Sequence, residues 1–393
     1  MKAIYKIFAI ASVFTFSSCI KGVDEVVQSA YLEPIIPEPV YKFSRIGESS
    51  VDLVECEFLD APLERIYKVY LKPARISDDL DNEEVQKLYK EGEFGLKPIE
   101  EIAKSELHSA NRAQIVTDIT DLINTTSAIS GYGQTDPFNH RRREAKVGAE
   151  GYVGNNIGDP NIYFVNNKGL VVAEMFHYSV LGAIYLDKIL NVHLDDEVLN
   201  NPEIRRKHEN VDLIVGRNYT ELEHHWDLAY GYFKFWRKLA HSEGLPALKN
   251  SELFINRALV KGRTYMEDFR YDDMKMQLDT IRTELSRVVA IRAMNLLVGD
   301  NTLVNIDENP KYAFLFVSKA CGLIYASQFA RNKEGKQIIT YTEVKEMLDN
   351  LFQGNGLWDK ERLLADENTV GSLKHTALSI GNKFGISLRE ISK

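Results

Sequence analysis

The run Thr220-Glu221-Leu222-Glu223-His224-His225-Trp226-Asp227-Leu228-Ala229-Tyr230-Gly231-Tyr232-Phe233 holds the densest set of chemically capable side chains in the sequence. Adjacent imidazoles and nearby carboxylates suit a divalent or ferric ion, because neutral His and ionised Glu or Asp are its usual protein ligands. On a helix, Trp226, Tyr230 and Phe233 make one aromatic stripe, and Glu221, His224, His225 and Leu228 share another face. Part of this pattern has a structural explanation. Thr220 and Glu223 stand at capping-box spacing, and acids in a first helical turn gain about 0.3–1 kcal/mol from the helix dipole. The His224-His225 pair falls outside that explanation, although a core pair bonded to Asp227 and the backbone would satisfy it.

A second set sits in the otherwise apolar run Gly169 to Ala183, where Glu174 and His177 are three residues apart and share a helical face. A buried Glu174 needs a partner. Glu174-x-x-His177 and Glu221-x-x-His224 repeat the Glu-x-x-His spacing of di-iron carboxylate bundles, which also require an inward Glu from each of two other helices. Glu106 and Glu284 are the candidates for those places. The candidate metal ligands are thus Glu174, His177, Glu223, His224, His225 and Asp227, with no catalytic residue assigned. No His-Glu-x-x-His helix, Gly-x-Ser-x-Gly elbow, P-loop or dinucleotide fingerprint occurs, which removes the common enzyme classes. The cluster His140-Arg141-Arg142-Arg143 reads first as a solvated loop and second as a site for phosphate, propionate or lipid head groups.

Helices must position these residues. Apolar residues recur at three and four positions over 83–92, 98–128, 169–191, 220–242, 251–262, 273–298, 311–330, 341–352 and 360–384, with glycines and prolines between. Between Tyr41 and Tyr70, short runs such as Ser50 to Val54 and Ile66 to Tyr70 have strand or irregular character. Residues 131–168 form one long Gly- and Asn-rich connection, a candidate pocket wall. The expected fold is mainly α, a helical bundle over 41–393, with a division into lobes 41–245 and 246–393 compatible with the composition.

The N-terminus carries Lys2, Lys6 and an apolar run, Ile7 to Phe16, too short to span a bilayer. It reads as a signal peptide over 1–18, ending in Phe16-Ser17-Ser18-Cys19, where small residues before the cysteine suit a lipoprotein signal peptidase. Cys19 is the expected lipid anchor, and residues 19–40, with Pro34, Pro37 and Pro39, the tether. Removing 1–18 moves the net charge from −9 to −11, so nucleic acid is not an expected partner. Cys56 and Cys321, far apart in sequence, read as buried thiols.

The segments Tyr41 to Arg45, Glu223 to Asp227, Ala229 to Phe233, Phe235-Trp236, Gly262-Arg263 and Arg287 to Leu297 resemble the lipoprotein family catalogued as domain of unknown function 4856. That family is similar to the imelysin-like helical proteins of bacterial envelopes. The resemblance implies helical lobes with a groove, a lipid-anchored place in the envelope, expected at the outer membrane, and a link to iron or haem uptake. This sequence lacks the Gly-x-His-x-x-Glu motif associated with imelysins; its nearest feature is Gly169 followed by Glu174 and His177 in the other order. Expected function is therefore ligand capture, of iron, haem or another metal. The rivals are a metal-dependent enzyme, either an imelysin-like peptidase or a di-iron oxidase, and a docking component beside an outer-membrane transporter.

Overall fold

Capping chemistry and apolar periodicity set the main helices. In the computed structural model, which describes residues 38–73, 80–130, 144–154 and 162–391, they are α1 (Val54–Arg65), α2 (Asn82–Lys90), α3 (Arg112–Ser130), α4 (Val172–Val180), α5 (Pro202–Glu209), α6 (Glu221–Ala240), α7 (Ser251–Glu267), α8 (Tyr271–Val298), α9 (Asp300–Glu308), α10 (Pro310–Ala326), α11 (Tyr341–Leu351) and α12 (Leu373–Phe384). A short helix, Leu388–Ile391, follows α12. Thr220 and Thr340 each close a capping box with the Glu three residues on, as the spacing in α6 predicts. The fold is mainly α, and its described strands are two short antiparallel pairs, β1 (Ser44–Arg45) with β2 (Glu48–Ser49) and β3 (Gly151–Val153) with β4 (Tyr163–Val165).

α8 is the axis. Between Leu285 and Met294 nearly every residue of this helix is buried, so it presents apolar surface on all sides and packs against α7, α10 and α12. α10 covers α4, α4 covers α3, and α6 lies between α5 and α7. The buried core runs without interruption from Cys56 through Trp226 and Val288 to Ile380, on both sides of residue 245, and Glu38–Lys393 gathers into one unit. Cys56 and Cys321 are buried free thiols.

Several expected boundaries shift for identifiable reasons. The run Ile66 to Tyr70, expected as strand or irregular, continues α1 as a wide π-helical turn, Ile66–Leu71, with Ile66, Tyr67 and Leu71 facing the core. The segment 98–128 is not one helix: Ala103 takes a positive φ of 47°, and Ser105 turns aside to give its backbone N–H and hydroxyl to buried Asp187 before α3 begins. The stretch 169–191 starts as α4 and then widens into two π-helical segments, Leu181–Leu186 and Lys188–His193. The segment 360–384 leaves the helix after Leu364, passes Gly371, where φ is 79°, and restarts under the Ser372 cap. Cys19 with the apolar run before it, the cluster His140 to Arg143 and much of the 131–168 connection lie outside the described residues.

Candidate functional site

Helix α6 begins under Thr220, and its capping Glu223 points into the protein with no solvent exposure. A buried carboxylate must be neutralised, and here two guanidinium groups do so: Arg45 bonds both oxygens at 2.8 and 3.1 Å, and Arg263 of α7 stands at 3.0 Å. One turn on, Asp227 takes a 3.1 Å bond from Arg263 and a 2.5 Å bond from the Tyr41 hydroxyl. Burial pushes the Asp227 carboxyl up to about 7, against the pull of Arg263. Against its burial, bonds from Arg45 and the Thr220 N–H and the charge of Arg263 hold Glu223 below the usual range. The remaining Arg263 nitrogen pairs with Glu267 at 3.0 Å. Tyr230 stacks on Tyr41 at 3.7 Å, so this lattice ties the N-terminal strand segment to α6 and α7. His208 closes its edge: Nε2 donates to the Met266 carbonyl at 2.9 Å, which leaves Nδ1 to accept from the Thr220 hydroxyl at 2.8 Å.

Glu174 lies elsewhere, on α4, and its partner is the Tyr67 hydroxyl, 3.0 Å from both carboxylate oxygens. His177 stacks on the Tyr67 ring at 4.0 Å, and burial lowers its imidazole to about 4. His224 stacks on Tyr219 at 4.6 Å, with Nδ1 buried and without a hydrogen-bond partner. His225 turns to a residue the sequence reading did not single out: its Nδ1 lies 3.1 Å from Nδ1 of His193, at the end of the π-helical segment. Burial holds His193 well below the usual imidazole range, and nearby Lys188 adds to the effect.

The six candidate ligands therefore have separate sets of partners. Glu223 and Asp227 share Arg263, Glu174 and His177 share Tyr67, and His224 and His225 face different neighbours. Among the described residues no group of three or more His, Cys, Asp or Glu side chains is placed to hold a metal ion. The two further carboxylates of a di-iron arrangement also point elsewhere: Glu106 is exposed in a 3-10 turn, and Glu284 accepts a 2.7 Å bond from Ser251.

The sequence reading missed the polar face of the π-helical run, where Asp187, Lys188, Asn191 and His193 are all buried. Lys188 reaches Glu101 at 2.5 Å and Glu55 at 3.4 Å, and the Tyr232 hydroxyl donates to Glu55 at 2.9 Å. Four polar residues in seven, inside an otherwise apolar helix, were the available signal. It also missed a cleft of about 740 Å³ at the far end of α8, half open to solvent. The cleft lies between the end of α6, the ends of α8 and α4, the first turn of α9, α10, the start of α12 and the short helix Leu388–Ile391. Its apolar lining includes Leu239, Leu245, Leu296, Val298 and Phe316. Local spacing could not have shown it, because its walls come from helices distant along the chain.

No helix among the described residues is long and apolar enough to cross a membrane. No curated protein and no solved structure matches the chain. The segments with specific packing roles here, Tyr41 to Arg45, the His-His-Trp-Asp turn of α6, Gly262-Arg263 and the α8 axis, fall within one family model. Described as Domain of unknown function (DUF4856), that model matches residues 38–387, and the chain belongs to this family.

Proposed function

We propose that this chain is a ligand-binding lipoprotein of the bacterial envelope, held to the outer membrane by lipid on Cys19 and acting by capture. The cleft at the end of α8 carries the reading. Small-molecule sites are typically concavities of about 300–1,000 Å³ with apolar walls and a few converging polar groups, and this cleft fits that description. The candidate carboxylates Glu223, Asp227 and Glu174 contribute stability instead, since partners from within the protein already occupy them. An outer-membrane transporter is the natural recipient of a ligand captured there. Two measurements test the proposal. Cys19→Ser should move the protein from the membrane to the soluble fraction of its host. Mass spectrometry of the full chain purified from envelopes should find a small molecule that is depleted in Asn295→Trp, which puts an indole into the cleft lining. No such molecule in the unmodified protein would count against capture.

One observation favours a second reading, in which the ligand is iron, an iron compound such as haem, or another divalent metal. The His193 and His225 Nδ1 atoms are 3.1 Å apart. Two nitrogens on one tetrahedral ion, each about 2.0–2.1 Å from it, stand roughly 3.3 Å from each other. Burial lowers the His225 imidazole, and Glu221 and, more weakly, Glu55 oppose it, so these two carboxylates are the ones on offer for a third place. Calorimetry with Zn²⁺ and Fe²⁺ on the full chain and on His225→Ala decides this: no heat, or heat unchanged by the substitution, ends it. Peptide turnover or oxygen consumption dependent on the same ion would extend it to an enzyme.

A further inference from the structure

Five cationic side chains, Lys238, Arg292, Lys319, Lys374 and Arg389, line the cleft against two carboxylates, Glu243 and Asp300. Arg292 neutralises Glu243 at 2.9 Å and gives its Nε–H to the Leu239 carbonyl at 2.9 Å, so this pair is internal to the wall. Lys238, Lys319 and Lys374 are different. They come from three helices, α6, α10 and α12, and among the described residues none of them makes an ion pair. Lys319 instead lies over the Phe316 ring at 5.9 Å. Acids outnumber bases by nine in this chain, so partners for three ammonium groups are not scarce. Gathering them at one concavity raises the local potential, and low-dielectric walls focus it.

We infer that the cleft binds an amphipathic anion, which deepens the capture reading and rests on it. A carboxylate or phosphate head would meet Lys238, Lys319 and Lys374, and an apolar body would lie on Phe316 and Leu296. Each half answers a feature of the walls. The ammonium groups attract an entering anion, and the exposed apolar lining loses water. A neutral amphiphile satisfies only the second, and inorganic phosphate only the first.

The test uses the full chain carrying Cys19→Ser, purified without detergent, with four probes below their micellar concentrations: dodecyl phosphate, dodecanoate, dodecanol and inorganic phosphate. The two anionic amphiphiles should bind saturably, one per chain, about tenfold or more tighter than dodecanol, and added salt should weaken them. Lys319→Gln with Lys374→Gln should remove that tenfold preference and leave dodecanol binding and the ligand-free unfolding temperature unchanged. Lys238→Gln serves the same purpose if the double variant unfolds early. Equal binding of dodecanol and the anions overturns the inference while leaving capture intact. Inorganic phosphate binding as tightly as dodecyl phosphate overturns its apolar half. If no probe binds, and no molecule is retained by the envelope-purified protein, both readings fall.

Discussion

Arg263 stands between two carboxylates, Glu223 and Asp227, that are as buried as it is. Replacing one partner of such a network leaves uncompensated charge in the core, at a cost of about 3–5 kcal/mol. Arg263→Met should therefore lower stability by about that much in urea unfolding, whereas Arg206→Met, which removes an exposed pair with Glu203, should change it by less than about 1 kcal/mol. A ring buried in its neutral form has a different signature. His177 is lowered to about 4 by burial, from an ordinary value near 6.5, so the unfolded chain takes up its proton first as the solution is acidified. Its contribution is fully present above about pH 6.5 and is lost as pH falls towards 4, by at most about 1.4 kcal/mol per pH unit. His177→Phe keeps the stacking on Tyr67 and should show a shallower loss between pH 6.5 and 4; identical slopes in the two proteins would contradict this account.

Helix packing places these residues, and close approach of backbones makes the packing. Gly262 lets α7 lie against Trp226 of α6: a Cβ there would stand 2.0 Å from Cζ2 of the indole. Neither partner can yield, since Trp226 is fully buried and gives its Nε1–H to the Leu259 carbonyl at 2.8 Å. Gly262→Ala should accordingly cost about 1–3 kcal/mol by overpacking, despite alanine's better helix propensity. Thermal unfolding and Trp226 fluorescence read the effect, and a stabilised variant would contradict a tight contact between the helices. The same logic explains why Gly262-Arg263 occurs as a unit: the glycine sets the distance at which the guanidinium meets Glu223 and Asp227.

For the whole molecule, a core without interruption at residue 245 predicts one cooperative unfolding transition. Trp226 and Trp236 precede that residue and Trp358 follows it, so fluorescence samples both sides. Its midpoint should coincide with that of far-ultraviolet dichroism; two separated transitions would favour the division into lobes. The cleft belongs to the same scale, because Lys238, Lys319 and Lys374 arrive from α6, α10 and α12 and line it together only when all three pack around α8.

Helix content and the burial of Trp226 were legible in the sequence, because apolar periodicity and capping spacing act between residues a few positions apart. The pairing of Thr220 with Glu223 was legible for the same reason. The destinations of the polar groups were not. Glu174 was recognised as needing a partner, yet that the partner is Tyr67, more than a hundred residues away, follows only from the packing of α4 against the π-helical turn after α1. The π-helical widening after Val180 was equally hidden, since it answers buried long-range demands at Asp187, Lys188 and His193 that no local pattern records. Local sequence decided which elements form, and tertiary contact decided which charges meet, because an ion pair or a cleft is made by residues that only the completed fold brings within a few ångströms.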